Sequence, residues 1–122
     1  MFELIIDTDF AAAHYLRGYQ GRCESLHGHN WKVRVRLQSD GLDKLGMVMD
    51  FSDVKKLVNG ILHELDHSCL NDLPACAEAN PTTENIAQFI YRALAAKLPG
   101  HVRVSGVTAW ETDRCGATYS ED

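Results

Sequence analysis

No apolar run in the 122 residues approaches the ~20 needed to cross a bilayer, so no membrane-spanning helix is expected. The first residues, Met1-Phe2-Glu3-Leu4-Ile5-Ile6-Asp7, lack the basic segment and sustained apolar stretch of a secretory signal, and a cytoplasmic location is expected. Positive charge is also short. Lys and Arg number 12 against 17 Asp and Glu, a formal charge of −5, whereas a general nucleic-acid or anionic-membrane binder leans the other way. Neither partner is expected. No internal repeat, low-complexity tract or linker divides the chain, which leaves one domain over residues 1–122, acting through one site. The four cysteines, Cys23, Cys69, Cys76 and Cys115, are expected to be reduced without an export signal, so they signify chemistry or packing rather than a disulfide framework.

What is present is a foldable core. Hydrophobic residues make up 45% and charged residues 24%, enough apolar material to exclude a disordered tail or a collagen-like segment. Phe2, Leu4, Ile6, Thr8, Phe10 and Ala12 recur every second residue, which predicts a strand with one face on a core and His14 at its far end. Trp31, Val33, Val35 and Leu37 alternate with Lys32, Arg34, Arg36 and Gln38, predicting a second strand with an apolar and a basic face. The basic face is read as solvated; phosphate contact by Arg17, Lys32, Arg34 and Arg36 is the alternative on charge grounds.

Helical spacing follows. Val54, Leu57, Val58, Ile61, Leu62 and Leu65 predict a first helix capped by Ser52 or Asp53. A second begins after Pro81, capped by Thr82 or Thr83, and buries Ile86, Phe89, Ile90, Ala93, Leu94 and Leu98 before Pro99-Gly100 ends it. Val102 and Val104 alternate again, the phase slips at Gly106, and Val107, Ala109 and Glu111 continue, which predicts a bulge. With a short last strand at Ala117 to Tyr119, the order is β-β-α-α-β-β. This is an α+β arrangement, a four-stranded antiparallel sheet with two helices on one face and open edges that invite other subunits.

The histidines point to chemistry. In His27-Gly28-His29 the two imidazoles, two residues apart on an extended backbone, project to the same side, and Gly28 is expected to leave room for an ion. If the first two strands pair as a hairpin, His14 joins them, and three neutral imidazoles are a set typical of catalytic Zn²⁺ with its fourth position open. Two other readings stay open at this point: histidines that hold no ion, and a closed structural site in which Cys23 is the fourth ligand. Asp66-His67, at the end of the first helix, adds a carboxylate and a further imidazole.

The motifs Phe10-Ala11-Ala12-Ala13-His14, Cys23-Glu24-Ser25-Leu26-His27-Gly28-His29, Met49-Asp50-Phe51, Leu65-Asp66-His67, Leu70-Asn71-Asp72, Asn80-Pro81-Thr82-Thr83-Glu84-Asn85 and Trp110-Glu111-Thr112 occur in that order. Together they resemble the 6-pyruvoyl-tetrahydropterin synthase family, in particular its bacterial 6-carboxytetrahydropterin synthase branch of queuosine biosynthesis. The resemblance implies the tunnelling fold, with sheets joined edge to edge into barrel-like rings, expected as a homohexamer of two stacked trimers. It implies Zn²⁺ on His14, His27 and His29, Cys23 as catalytic thiol, and Asp66 with His67 as a relay beside it. Glu111 anchors the pterin in this reading, its carboxylate suited to the two parallel N–H donors of the guanidine-like edge. Thr82 and Thr83 are carried over as pterin-pocket residues, although a role as helix caps is equally adequate.

The implied substrate is 7,8-dihydroneopterin triphosphate, cleaved to 6-carboxy-5,6,7,8-tetrahydropterin, acetaldehyde and triphosphate; elimination to the 6-pyruvoyl product starts from similar proton abstractions. One departure matters. Much of the queuosine branch has Gly after the catalytic Cys, and this chain has Glu24. A related subgroup uses a glutamate there, without the cysteine, to cut dihydroneopterin to 6-hydroxymethyl-dihydropterin for folate synthesis. Carrying both, the chain resembles a dual-motif form, with Glu24 a second catalytic candidate or else a solvated loop carboxylate. A zinc-binding assembly protein is the non-enzymatic alternative. Asp66, His67 and Glu111 argue against it, since storage or scaffolding needs none of them.

Overall fold

The computed structural model describes residues 1–18 and 25–121. Strand β1 (Phe2–His14) and strand β2 (His27–Ser39) form a long antiparallel ladder running from the pair Phe2–Ser39 to the pair His14–His27. Helix α1 (Phe51–His63) follows, then a two-residue strand β3 (Ser68–Cys69), two single-turn 3₁₀ helices and helix α2 (Thr83–Ala95). Strands β4 (Arg103–Thr112) and β5 (Cys115–Tyr119) close the chain. The sheet order is β3-β1-β2-β4-β5, antiparallel except for β3, which runs parallel to β1 at one edge. The expected four-stranded antiparallel sheet is therefore present and carries one extra short strand. Two residues are too few to leave a periodic signal in the sequence.

One face of the sheet makes the core. Ile6, Phe10, Trp31, Val33, Val35, Leu37, Val107 and Ala109 are buried, and they share a single cluster with Val54, Val58, Ile61 and Leu62 of α1 and Ile86, Ala87, Ile90 and Leu94 of α2. Both helices thus lie on that face, each contributing one apolar stripe at 3.6-residue spacing. Complete burial of a Val, Leu, Ile or Phe side chain stabilises the fold by about 1.5–3 kcal/mol.

The helix ends differ from expectation by a few residues. Asp50, rather than Ser52 or Asp53, caps α1: it has an extended backbone, and its carboxylate accepts from the Ser52 N–H at 2.7 Å. Leu65 is buried just beyond the end of α1, and the second helix stops at Ala95, before Leu98. After α1 the chain reverses at His67, whose φ of 56° is left-handed. The bulge in β4 is present: Arg36 pairs with Gly106 while the next β2 residue, Leu37, pairs with Val104, so one extra residue lies between.

The opposite face is charged and self-matched. Asp7 takes a two-pronged bond from Arg34 (2.7 and 2.9 Å), Lys32 lies 3.0 Å from Asp113, and Arg36 lies 3.9 Å from Glu3. The Arg34 hydrogen bonds hold the Asp7 carboxyl below its ordinary range. The basic stripe of β2 is thereby matched by neighbouring carboxylates at its solvated surface. Among the described residues no helix is long and apolar enough to cross a membrane.

Candidate active site

The β1–β2 register assembles the site. His14 is directly opposite His27, and Ala12 is opposite His29, so even positions of β1 and odd positions of β2 share the core face. The ring centroids of His14 lie 4.6 Å from His27 and 5.2 Å from His29, and His27 and His29 are 4.8 Å apart. Their potential ligand atoms all fall within 4.8 Å of one another. Beneath them Trp31 is fully buried, its ring 5.0 Å from His14 and 5.5 Å from His29, stacked on Phe10 at 5.7 Å, with its Nε1 donating to the Ala12 carbonyl at 3.3 Å. The triad therefore rests on the rigid core.

Two of the rings are oriented by backbone carbonyls. His14 Nδ1 is 2.7 Å from the Pro81 oxygen, and His27 Nδ1 is 2.6 Å from the Ser25 oxygen. A carbonyl only accepts, so each Nδ1 carries a proton, and in the neutral ring this leaves the lone pair on Nε2. This is how metal-binding imidazoles are commonly fixed from behind. In front, His14 Nε2 and His29 Nε2 are buried with no hydrogen-bond partner among the described residues. Burial, with the neighbouring rings His14 and His27 acting the same way, lowers the pKa of His29, while Glu111 opposes the shift. Neutral imidazoles with unsatisfied inward nitrogens fit a cation. A tetrahedral ion with Zn–N bonds of about 2.0–2.1 Å holds its nitrogens roughly 3.4 Å apart, a modest closing of rings already gathered.

Glu111 joins the same face because of the bulge. Without the extra residue before Gly106, the alternation of Val102 and Val104 would send it to the other side. Its carboxylate oxygens lie 3.6 Å from His14 Nε2 and 3.9 Å from His29 Nε2, too long for hydrogen bonds but close enough to offset a cation's charge. Thr82 caps α2, its hydroxyl accepting from the Asn85 N–H at 3.1 Å, and Thr83 is buried in the first turn. Gly28 does not act as expected. It alternates with the two histidines and so faces the other side, where an added Cβ would meet nothing nearer than the Ala12 carbonyl at 3.9 Å.

Asp66 and His67 form a pair but not with the triad. Asp66 Oδ2 is 2.9 Å from His67 Nδ1, Asp66 Oδ1 accepts from the Ala11 N–H at 2.9 Å, and the His67 N–H donates to the Ala11 carbonyl at 2.6 Å. The Ala11 N–H, helped by His67, holds the Asp66 carboxyl below its ordinary range. The recess beside the pair is lined by Asp9, Ala11 and Asn30, whose alternation places their side chains on the sheet face opposite the triad. The expected catalytic pair Cys23 and Glu24 lies outside the described residues.

Residues 3–122 match the sequence model of the 6-pyruvoyl tetrahydropterin synthase family. The chain belongs to that family. The 6-pyruvoyl tetrahydropterin synthase of Caenorhabditis elegans has the same fold, the tunnelling fold, at a TM-score of 0.89 and 26% identity, over 99% of this chain and 96% of that one. Among synthase-family relatives, 6-carboxy-5,6,7,8-tetrahydropterin synthase of Haemophilus influenzae is 33% identical over 144 residues, 99% of this chain and 100% of its own. Dihydroneopterin monophosphate aldolase of Pyrococcus furiosus is 39% identical over 114 residues, 93% of each chain. Family membership makes the protein a pterin enzyme.

Several groups at the site had no role assigned from sequence. The carbonyls of Ser25 and Pro81 leave no side-chain signal. Asn71 and Asn80 each grip one backbone residue just beyond β1 by both its N–H and its C=O, Tyr15 for Asn71 and Arg17 for Asn80, at 2.9 Å throughout. Asparagine beside turn residues was the available clue.

Proposed function

We propose that the protein is a zinc-dependent carbon–carbon lyase that converts 7,8-dihydroneopterin triphosphate and water to 6-carboxy-5,6,7,8-tetrahydropterin, acetaldehyde and triphosphate, the reaction of queuosine biosynthesis. The observation that carries the reading is the triad of imidazoles beside Glu111, with the Nε2 atoms of His14 and His29 buried and unsatisfied, in a chain whose full-length relatives include enzymes named for that product. His14, His27 and His29 are the residues that would hold the ion. Zinc bound there supplies Lewis acidity at the substrate's side-chain hydroxyls. Glu111 accepts the paired N–H donors of the pterin edge, and Cys23 moves a proton on the side chain as a thiolate–thiol couple. His67, oriented by Asp66, is the second acid/base.

Because that pair looks away from the triad of its own subunit, we assign it to the site of a neighbouring copy in a ring of subunits, a homohexamer in our reading. This gives the oligomer a chemical reason. The test is incubation of the zinc-loaded protein with dihydroneopterin triphosphate and identification of the products by mass. Carboxytetrahydropterin with acetaldehyde is the expected result, and an intact or pyruvoyl side chain in the product rejects the assignment.

A second reading has its own support. The aldolase relative is 39% identical, and Glu24 stands beside Cys23, so cleavage of dihydroneopterin to 6-hydroxymethyl-dihydropterin is a second activity to assay with the same preparation.

A further inference from the structure

The turn between the second 3₁₀ helix and α2 is fastened more heavily than a helix start requires. The Asn80 carbonyl accepts from both the Thr82 N–H and the Asn85 side-chain amide, each at 2.8 Å, while the Asn80 side chain holds the backbone of Arg17 at both ends. The cap itself needs only the Thr82 hydroxyl and the Asn85 backbone N–H. The Asn85 side chain contributes nothing to that cap. It reaches back past Thr82 to residue 80, and the peptide unit so fixed leads directly into Pro81, whose carbonyl orients the His14 ring.

We propose that Asn85 and Asn80 are positioning residues for the metal centre, acting through the Pro81 carbonyl to keep His14 in the Nδ1–H form with its Nε2 lone pair aimed inward. The chain of contacts is short and continuous: Asn85 amide to Asn80 carbonyl, through one proline to the Pro81 carbonyl, and on to His14 Nδ1. His14 is 1% exposed, so no water replaces that carbonyl if it turns away, and the ring then loses both its orientation and its preferred tautomer. The Asn80–Arg17 clamp ties the backbone after His14 to the same turn, so ligand and carbonyl are coupled.

The inference rests on the zinc reading for its metal readout only. The discriminating variant is Asn85→Asp. A carboxylate in the first turn of α2 suits the helix dipole and keeps the side-chain volume, but it has no proton to give the Asn80 carbonyl. If Asn85 serves only helix stability, Asn85→Asp is neutral or favourable. If it positions His14, zinc affinity, measured by competition with a chromophoric chelator, falls by about 10–100-fold, the range found when groups behind metal ligands are removed. In the metal-free protein, ¹⁵N-edited NMR of the imidazoles then shows His14 changing from the Nδ1–H tautomer to a mixture. Asn85→Ala and Asn80→Ala are expected to behave alike, with thermal unfolding of each metal-free variant confirming that it folds. Affinity within about twofold of the parent and an unchanged His14 tautomer in the folded Asn85→Asp protein overturn the proposal. A parent protein that binds no zinc removes the zinc reading instead, and the tautomer comparison still decides the role of Asn85.

Discussion

The placement of the Asp66–His67 pair on the sheet face opposite the triad makes a quantitative prediction. His27→Ala removes one ligand of the three; His67→Ala removes the imidazole of the pair and leaves the Ala11 contacts of the backbone and of Asp66 in place. Each variant alone is expected to lose about 10²–10⁴-fold in turnover, the usual worth of a positioned acid/base or more. Now let the two be co-expressed in equal amounts, so that subunits mix at random in the ring. A site built from the triad of one subunit and the pair of its neighbour receives an intact triad half the time and an intact pair half the time. About one quarter of sites are therefore whole, and the mixture recovers about a quarter of parental activity. If triad and pair served the same subunit, every site would carry one lesion and nothing would be recovered. The assay is carboxytetrahydropterin formation from dihydroneopterin triphosphate, with the subunit ratio fixed by mass spectrometry. A mixture no more active than the average of its two parents refutes the shared site, and a His67→Ala protein with full activity removes the pair from the chemistry.

Other outcomes follow from particular residues. Cys23→Ala should abolish carboxypterin formation and spare cleavage of dihydroneopterin, and Glu24→Ala should do the reverse, as product analysis of both variants on both substrates will show; equal loss of both activities in Glu24→Ala leaves that residue without a separate role. Asp66 has a folded pKa below its ordinary value of 3.8, set chiefly by the Ala11 N–H. Its contribution to stability is therefore complete above that value and is lost as the pH falls through the lower folded pKa, so Asp66→Asn should show a shallower loss of Tm below about pH 5 than the parent. Gly60 is exposed within α1 and an added Cβ there meets no atom within 4 Å, so Gly60→Ala should stabilise by about 0.5–1 kcal/mol, a rise in Tm of roughly 2–5 °C by calorimetry. Gly28→Ala, whose added Cβ would meet only the Ala12 carbonyl at 3.9 Å on the face away from the histidines, should keep full zinc content by elemental analysis.

The parts of the fold that were legible in the sequence are those where periodicity and burial agree. Trp31, Val33, Val35 and Leu37 announced β2, the 3.6-residue stripes announced both helices, and the phase slip announced the bulge, because each pattern is written within a dozen consecutive residues. The hairpin that carries His14 to His27 follows from two adjacent strands, so the triad could be assembled from sequence as well. What was not legible depends on contacts between distant segments. The stripe Lys32, Arg34 and Arg36 was read as a solvated face, and its carboxylate partners Asp7, Glu3 and Asp113 were not visible because they sit elsewhere in the chain. The face onto which the Asp66–His67 pair opens is set by its docking on Ala11, 55 residues away from Asp66. The α1 cap fell on Asp50 because Ser52 and Asp53 lie inside the helix that Phe51 begins, a choice among neighbouring polar residues that local sequence seldom resolves.

The left-handed backbone at His67 has one more consequence. An L-residue with a Cβ is disfavoured there by about 1–2 kcal/mol, and glycine is the residue that this turn would select on conformational grounds alone. His67→Gly should accordingly fold at least as firmly as the parent, since the imidazole, 83% exposed, contributes little through its surface contact with Asp66. If His67 serves the proposed shared site, the two demands on this position point in opposite directions: sequence selection for stability would remove the side chain that the proposed chemistry uses. A library screened for thermal tolerance without an activity filter should therefore drift toward glycine at 67, and the drift would mark the residue as one kept for what it does rather than for how it folds.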